Sequence, residues 1–273
     1  MAYQAETKNM ALFCDFENIA LGVRDADYAQ FDIDKVIERL LLKGSIVVKK
    51  AYCDWDRYKE FKPPMHEASF ELIEIPHVRQ SGKNSADIRM VVDALDLCYT
   101  KEHLDTFVIL SGDSDFSPLV SKLRENNKIV IGVGVKNSTS DLLIANCDEF
   151  IYYDDLVRRQ PPRKKNGGKG AGRKPARGST AKAAKPAADK KQEAWDLIVE
   201  TYEALVEERG EGEKIWGSMI KQTLKRRKPG FSESYYGFRS FSQMLEEAQA
   251  RGILELEPEE KSGGFIIKSC HAP

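Results

Sequence analysis

The sequence predicts an α/β protein built on a parallel sheet, followed by a basic linker and a second, smaller domain. Two observations predict the sheet: apolar runs of strand length alternate with amphipathic helical segments, and acidic residues directly follow two of those runs. A third observation, an abrupt change of composition near residue 158, separates the domains. Apolar strands that alternate with helices are typical of a doubly wound parallel sheet sandwiched by helices.

Charge divides the chain into three parts, although its net charge is only −1. Residues 1–157 hold 18 Lys/Arg against 27 Asp/Glu, residues 158–191 hold 13 against 1, and residues 192–273 hold 11 against 15. The middle part contains no aromatic residue and is rich in Gly, Ala and Pro, so it predicts a disordered linker. This linker is either a solubilising spacer or a non-specific phosphate-binding segment. A basic tether between two acidic domains indicates a polyanionic partner.

The cysteines and the hydropathy of the chain exclude several classes of protein. Five cysteines are scattered without CxxC spacing, which argues against a zinc site or a disulfide framework. The N-terminus has no apolar signal region, and no apolar stretch is long enough to span a membrane. We therefore expect a cytoplasmic protein with reduced thiols and no membrane partner.

The first domain, residues 1–157, has a regular order of predicted elements. The predicted strands are 10–14, 45–53, 71–75, 106–110, 128–135 and 149–153. The predicted helices are 32–44, 85–96, one that runs from the Asp113/Asp115 turn to about 126, and 141–146, with short helical turns over 55–70. Asp32 and Ser85 are expected N-caps, Ser138 to Ser140 can cap the helix at 141, and Gly44 is an expected helix stop.

Acidic residues follow two of the predicted strands at equivalent places. Asp15 follows the apolar run 10–14, and Asp113 and Asp115 follow Val108–Leu110 after a small-residue turn. Because the carboxyl ends of parallel strands share one edge of a sheet, these side chains should gather there. Carboxylates are suitable ligands for a hard divalent cation. The simpler alternative is that these acids only cap helices and complement helix dipoles.

The helix predicted from Ser85 adds acidic and basic candidates. Asp87 lies in its first turn, where an acid is favoured in any case, and Asp93 lies about 120° further around the helix. Asp93 is equally well explained as an acid on the polar face of the helix. The loop before this helix carries Arg79 and Lys83, which could neutralise substrate phosphates.

The second domain, residues 192–273, is predicted to be winged-helix-like. Helical spacing runs from Trp195 to Val206, over 215–224, and over 234–250 with an interruption near Gly237. Strands at 253–256 and 264–267 would form a small wing. A candidate basic face for nucleic acid consists of Lys221, Lys225, Arg226, Arg227, Lys228 and Arg239. The alternative is a solvated helix end.

Residues 10–155 resemble the NYN domain family, PIN-like nucleases that include bacterial LabA-type proteins. The resemblance is carried by Phe13–Asn18, by Lys83–Asp87 with Asp93, and by Leu110–Phe116. Three matching stretches in the right order across one domain are specific, whereas any single stretch would be weak. The resemblance implies a PIN-like sheet and a metal-dependent ribonuclease with an acidic pocket.

The family resemblance also implies a role for each matching residue. Asp15, Asp87 and Asp113 would be the core metal ligands, Asn18, Asp93 and Asp115 would assist them, and Ser111 would shape the turn. Bound Mg²⁺ or Mn²⁺ would relieve the repulsion among the carboxylates and generate a hydroxide for in-line attack on the phosphodiester. No histidine is positioned to act as a general base. PIN-like domains are often dimeric, so a homodimer is also expected.

Residues 192–268 resemble the LOTUS module, an OST-type helix-turn-helix. The match rests on Pro229-Gly230-Phe231, Tyr236-Gly237-Phe238, Phe241 and Leu245. The resemblance implies RNA binding, including structured or G-rich RNA, and in some members protein binding. Tethering such a module to an acidic nuclease would raise the local concentration of RNA at the site.

Two other functions stay open from the sequence. Asp15-Phe16-Glu17 is similar to the nucleophile pair of aspartyl-phosphate phosphatases, but its second acid is Glu rather than Asp. The other alternative is an RNA-binding regulator that keeps the metal site without cutting RNA. It predicts that charge reversal over Lys225–Lys228 abolishes the biological effect while Asp113→Asn does not.

Overall fold

The structure is a computed structural model that describes residues 8–28, 30–75, 85–157, 187–210, 213–259 and 264–270. The chain divides into two compact units: Met1–Val157 with Lys221–Phe231, and Arg158–Ile220 with Ser232–Pro273. The predicted site residues Arg79 and Lys83, and the predicted linker up to residue 186, lie outside the described residues.

A six-stranded sheet forms the centre of the first unit. Its strands are β1 (Lys8–Asp15), β2 (Gly44–Cys53), β3 (Glu71–Glu74), β4 (Thr106–Leu110), β5 (Ile129–Gly134) and β6 (Glu149–Tyr152). All neighbours pair in parallel, in the order β3-β2-β1-β4-β5-β6, which confirms the predicted sheet. The strand order reverses between β1 and β4, so ligands are expected at the carboxyl ends of these two strands.

Helices cover both faces of this sheet. They are α1 (Phe16–Asp25), α2 (Ile33–Leu41), α3 (Lys62–Glu67), α4 (Ser85–Thr100), α5 (Ser117–Glu125), α6 (Asp141–Asn146) and α7 (Tyr153–Val157). Alternate residues of β1 point to opposite faces. Leu12 joins the core formed with α1 and α2, and Phe13 joins the core formed with α4, α5 and α6.

The first unit differs from the predicted elements in three places. Helix α1 was not predicted, because the acidic stretch after Asp15 indicates a loop, yet Phe16, Ile19 and Val23 follow helical spacing and are buried. Helix α7 was not predicted either. Gly44 does not stop α2, which ends at Leu41; it begins β2, where a Cβ atom would lie 2.2 Å from the Lys8 carbonyl oxygen. Close approach of two strands therefore requires this glycine.

The C-terminal part of the chain contains helices and a small antiparallel sheet. Its elements are α8 (Ala187–Arg209), β7 (Ile215–Trp216), α9 (Gly217–Arg227), α10 (Phe241–Ala250), β8 (Leu254–Pro258) and β9 (Phe265–Cys270). Strand β9 pairs with both β7 and β8. Helix α8 starts inside the segment 158–191 that was predicted to be linker. The last helix begins only after Ser240, its N-cap, because Gly237 takes a positive φ of 87°.

No helix in the described parts of the chain combines the length and the apolar character that a bilayer crossing requires. All five cysteines are free, and four of them are buried.

The sheet gives a packing prediction at Gly132 in β5. A Cβ atom there would lie 2.3 Å from the Phe150 ring and 2.9 Å from the Cys147 sulfur. We expect Gly132→Ala to lower the free energy of unfolding by roughly 1–3 kcal/mol in urea titrations, since overpacking strains a dense core. Adding Phe150→Leu should offset part of this loss. Strictly additive losses in the double variant would contradict this explanation.

Candidate metal centre at the sheet edge

Asp15 is a buried carboxylate held by two hydrogen bonds. It is the last residue of β1 and the N-cap of α1, and only 8% of its surface is exposed. The Ser111 hydroxyl donates to its Oδ2 at 2.9 Å, and the Asn18 backbone N–H donates to its Oδ1 at 3.3 Å. The side chain therefore has a fixed orientation at the carboxyl end of the central strand.

The turn after β4 is tied to the same place. The Asp113 backbone N–H donates to the Ser111 hydroxyl oxygen at 3.2 Å, and the Gly112 N–H donates to the Asn18 side-chain oxygen at 2.8 Å. Asp113 accepts from the Asp115 N–H at 2.9 Å and so caps the 3₁₀ turn that follows. Asp15 and Asp113 therefore cap the helical segments that follow them, as the simpler alternative predicted. Both residues also lie at the same edge of the sheet.

The carboxylates at this edge repel one another. Burial, followed by the charges of Asp87 and Asp113, raises the pKa of Asp15 to about 7, although its hydrogen bonds from Ser111 and Asn18 act in the opposite direction. Burial also raises the pKa of Asp87, in the first turn of α4, to about 6, with contributions from Asp113, Asp115 and Glu17. Asp15, Asp87, Asp113 and Asp115 therefore form one electrostatic cluster, named here the acidic edge.

Glu17 is a member of this neighbourhood that the sequence analysis did not assign. It lies in the first turn of α1, its charge contributes to the raised pKa of Asp87, and it forms an ion pair with Arg57 at 3.2 Å. In the sequence, the signal for Glu17 was its position two residues after Asp15, in a segment that was not predicted to be helical.

Asp93 has partners of a different kind. The Tyr52 hydroxyl donates to it at 2.9 Å, Arg89 lies 3.1 Å away, and Lys50 lies 3.5 Å away. Tyr52 and Lys50 both belong to β2, so Asp93 links α4 to that strand. The structure thus places Asp93 in an ion-pair and hydrogen-bond network of its own.

The donor set at the acidic edge suits a hard divalent cation. All its donors are oxygens, and no lysine or arginine among the described residues forms an ion pair with any of the four carboxylates. Within the same described ranges, no three His, Cys, Asp or Glu side chains converge closely enough to hold a metal ion as they stand. The chemistry of the donors fits a cation, and a closer approach of the carboxylates is needed to complete its coordination.

The predicted basic face is partly exposed. Arg226 and Lys228, at the end of α9, and Arg239 are exposed to solvent. Lys225 is less exposed and lies 3.5 Å from Glu149. Lys221 and Arg227 also make interactions with other residues.

Several known proteins are similar to the first unit of the chain. A family model described as "NYN domain" matches residues 9–154. The "meiosis regulator and mRNA stability factor 1" of Xenopus tropicalis is 25% identical over 154 residues, which are 56% of this chain and 9% of that protein. An uncharacterized protein of Methanocaldococcus jannaschii is 29% identical over 120 residues, 44% of this chain and 47% of that one. The matched regions thus span less than half of either relative.

A solved structure is also similar to more than half of the chain. The crystal structure of a protein of unknown function from Vibrio parahaemolyticus has a TM-score of 0.50 and 26% identity, covering 57% of this chain and 98% of that one. The family match runs from β1 into α7 and includes every strand of the parallel sheet. Because it covers more than half of the chain, the predicted family is confirmed: this chain belongs to the NYN domain family.

Proposed function

We propose that the chain is a metal-dependent ribonuclease whose acidic edge binds Mg²⁺ or Mn²⁺. The observation that carries this proposal is the acidic edge itself. It holds four carboxylates from β1, α4 and the turn after β4. Burial and neighbouring charges raise the pKa values of Asp15 and Asp87 among them, and no described lysine or arginine forms an ion pair with the four. Repulsion of this kind favours the binding of a cation. Membership of the NYN domain family, a nuclease-type domain, supports the same activity.

Each residue of the acidic edge has a proposed role. Asp15, Asp87 and Asp113 would hold the cation, and Asn18 and Asp115 would assist. A bound divalent cation would polarise a phosphodiester oxygen and lower the pKa of the attacking water. Ser111 orients Asp15 through its 2.9 Å hydrogen bond, and Asn18 fixes the Gly112 turn that carries Asp113. Asp93 would affect the site only by positioning α4, the helix that also carries Asp87.

RNA binding is proposed for the C-terminal part of the chain. The exposed side chains of Arg226, Lys228 and Arg239 support it, and so does the net charge of the predicted linker, which holds 13 Lys/Arg against 1 Asp/Glu. The acidic edge alone would repel RNA, so a basic region in the same chain would compensate by retaining the substrate. Its assignment as a LOTUS module, the homodimer and a protein partner stay predictions.

One observation favours a second function, an RNA-binding regulator that does not cut. Among the described residues, three metal-ligating side chains do not already converge on one point. The name of the Xenopus relative also describes a regulator and mRNA stability factor. A phosphatase is less well supported, because the second acid of the Asp15-Phe16-Glu17 pair is Glu rather than Asp.

Cleavage of RNA is the first test of the proposal. The full chain with Mn²⁺ should cleave single-stranded RNA, and Asp113→Asn should lose about 100-fold or more in rate, since it removes a ligand of the charge-stabilising cation. Asp25→Asn, the same change at an exposed position in α1, should keep the parent rate. RNA binding without cleavage by the parent chain would support the regulator. Equal cleavage by Asp113→Asn would contradict the assigned site.

Stability should depend on pH through Asp15. Its pKa is about 7 in the folded chain and 3.8 ordinarily, so between pH 4 and 7 the folded state retains a proton that the unfolded state releases. The free energy of unfolding should therefore fall as pH rises through this window, by up to about 4 kcal/mol for one such group.

Urea titrations at pH 4, 5.5 and 7 measure this dependence. Asp15→Asn should reduce this dependence and leave the part that the raised pKa of Asp87 contributes, and Asp25→Asn should leave the dependence in place. At pH 7, Mn²⁺ should stabilise the parent chain more than Asp15→Asn, because a bound cation compensates the buried charge. The same pH slope in the parent and in Asp15→Asn would contradict the prediction.

The basic face predicts a change in salt dependence. Arg226→Glu with Lys228→Glu should weaken RNA binding and lower the slope of log K against log [salt] by about 0.7 for each phosphate that is no longer neutralised. Fluorescence anisotropy with labelled RNA at several salt concentrations measures both quantities. Lys101→Glu, a reversal at an exposed position after α4, serves as the control. Unchanged affinity and slope would remove these residues from the interface.

A further inference from the structure

A groove of about 730 Å³ runs beside the acidic edge, between α4 and the turn that leads into α5. Asp87 and Asp115 are part of its lining, so the groove shares two residues with the proposed metal site. Its volume lies within the range of sites that bind small molecules or parts of larger ligands.

The wall of this groove is apolar and exposed. Ile88 is 62% exposed, Val92 is 55% exposed and Leu142 is 58% exposed. Ile88 and Val92 lie one helical turn apart on α4, so their side chains share a face. Three large apolar side chains gathered in one open groove are typical of a binding surface. We call this set the apolar wall.

The described lining of the groove favours an uncharged group over a phosphate. Among the described residues that line the groove there is no lysine and no arginine, so none of them attracts a phosphate directly. In an RNA whose scissile phosphate lies at the acidic edge, the adjoining base is the apolar part that comes within reach of this wall. A second copy of the chain fits less well, because it would bring another domain of 18 Lys/Arg against 27 Asp/Glu to an acidic site.

Ser117 provides a second, independent observation. It lines the groove at the start of α5, it is 7% exposed, and its hydroxyl has no hydrogen-bond partner among the described residues. Buried polar groups without a partner are costly, so they often mark a position that a ligand completes.

We propose that the apolar wall is a base-binding subsite for the nucleotide next to the scissile phosphate. This inference rests on the proposed ribonuclease function. A base held against Ile88, Val92 and Leu142 cannot remain in a duplex, so the substrate must have an unpaired nucleotide at this position. The three side chains of the wall are aliphatic and have no polar group, so they accept any of the four bases. Ser117 is a polar residue of the groove lining that would distinguish among bases.

The test compares ordinary single-stranded RNA with RNAs of the same sequence that carry one abasic ribose at successive positions. The full chain is compared with Ile88→Ala/Val92→Ala, and Val47→Ala, an exposed valine of β2, is the matched control. Steady-state cleavage with Mn²⁺ gives KM and kcat. Anisotropy with Ca²⁺ in place of Mn²⁺ gives the affinity of the same RNAs without relying on cleavage.

For ordinary RNA, we expect Ile88→Ala/Val92→Ala to raise KM and Kd about tenfold, because the shortened side chains cover less of the base. With the abasic ribose beside the cleaved bond, the parent chain and this variant should behave alike. Val47→Ala should match the parent on both RNAs. Ser117→Ala should keep its thermal stability and reduce the differences among RNAs that vary only in that base.

The subsite would be overturned if Ile88→Ala/Val92→Ala had equal effects on ordinary and abasic RNA, or no effect on either. It would also be overturned if the parent chain sedimented as a dimer and this double variant as a monomer, since the wall would then be assigned to a second copy. The two proposals fail separately. Base-dependent Kd values without any cleavage would support the subsite and contradict the nuclease. Cleavage with identical KM for ordinary and abasic RNA would support the nuclease and contradict the subsite.

Discussion

The hydrogen bond from the Ser111 hydroxyl to Asp15 is the interaction on which the rest of the site depends. It joins the ends of β1 and β4 and holds a carboxylate that is almost completely buried. A buried charge is tolerated only when hydrogen-bonded or neutralised. Ser111 also accepts from the Asp113 backbone, so one hydroxyl fixes two acidic positions. The acidic edge is therefore a property of the sheet itself, since neighbouring parallel strands deliver both residues to it.

The same arrangement opposes the stability of the folded chain. Burial and neighbouring charges raise the pKa values of Asp15 and Asp87, which means that ionising them in the folded state is unfavourable. A fold that keeps such a cluster gains from a bound cation, and this supports the proposed metal site. The surplus of basic over acidic residues lies in residues 158–191, outside the domain that carries the acidic edge. Attraction of RNA and the proposed cutting of RNA would therefore depend mainly on separate regions of the chain.

Much of this fold was predictable because its signals are local. Buried strands such as 106–110 are continuous apolar runs, and the positions of Asp15 and Asp113 follow from where those runs stop. What was missed depends on tertiary contacts or on competing local signals. Helix α1 was obscured by the acidic residues that cap it. Two partners of Asp93, Tyr52 and Lys50, come from β2, about forty positions away in the sequence, as the 41-residue separation from Tyr52 shows. The need for glycine at position 44 arises only when β1 lies against β2.

The central claim is that the acidic edge is a divalent cation site. Calorimetric titration of the full chain with Mn²⁺ at pH 6.5, repeated in buffers of different ionisation enthalpy, tests it most directly. Saturable binding with release of about one proton is expected, because Asp15 is largely protonated at this pH and must lose its proton to act as a ligand. The absence of Mn²⁺ binding, or binding without proton release that persists in Asp15→Asn, would contradict it.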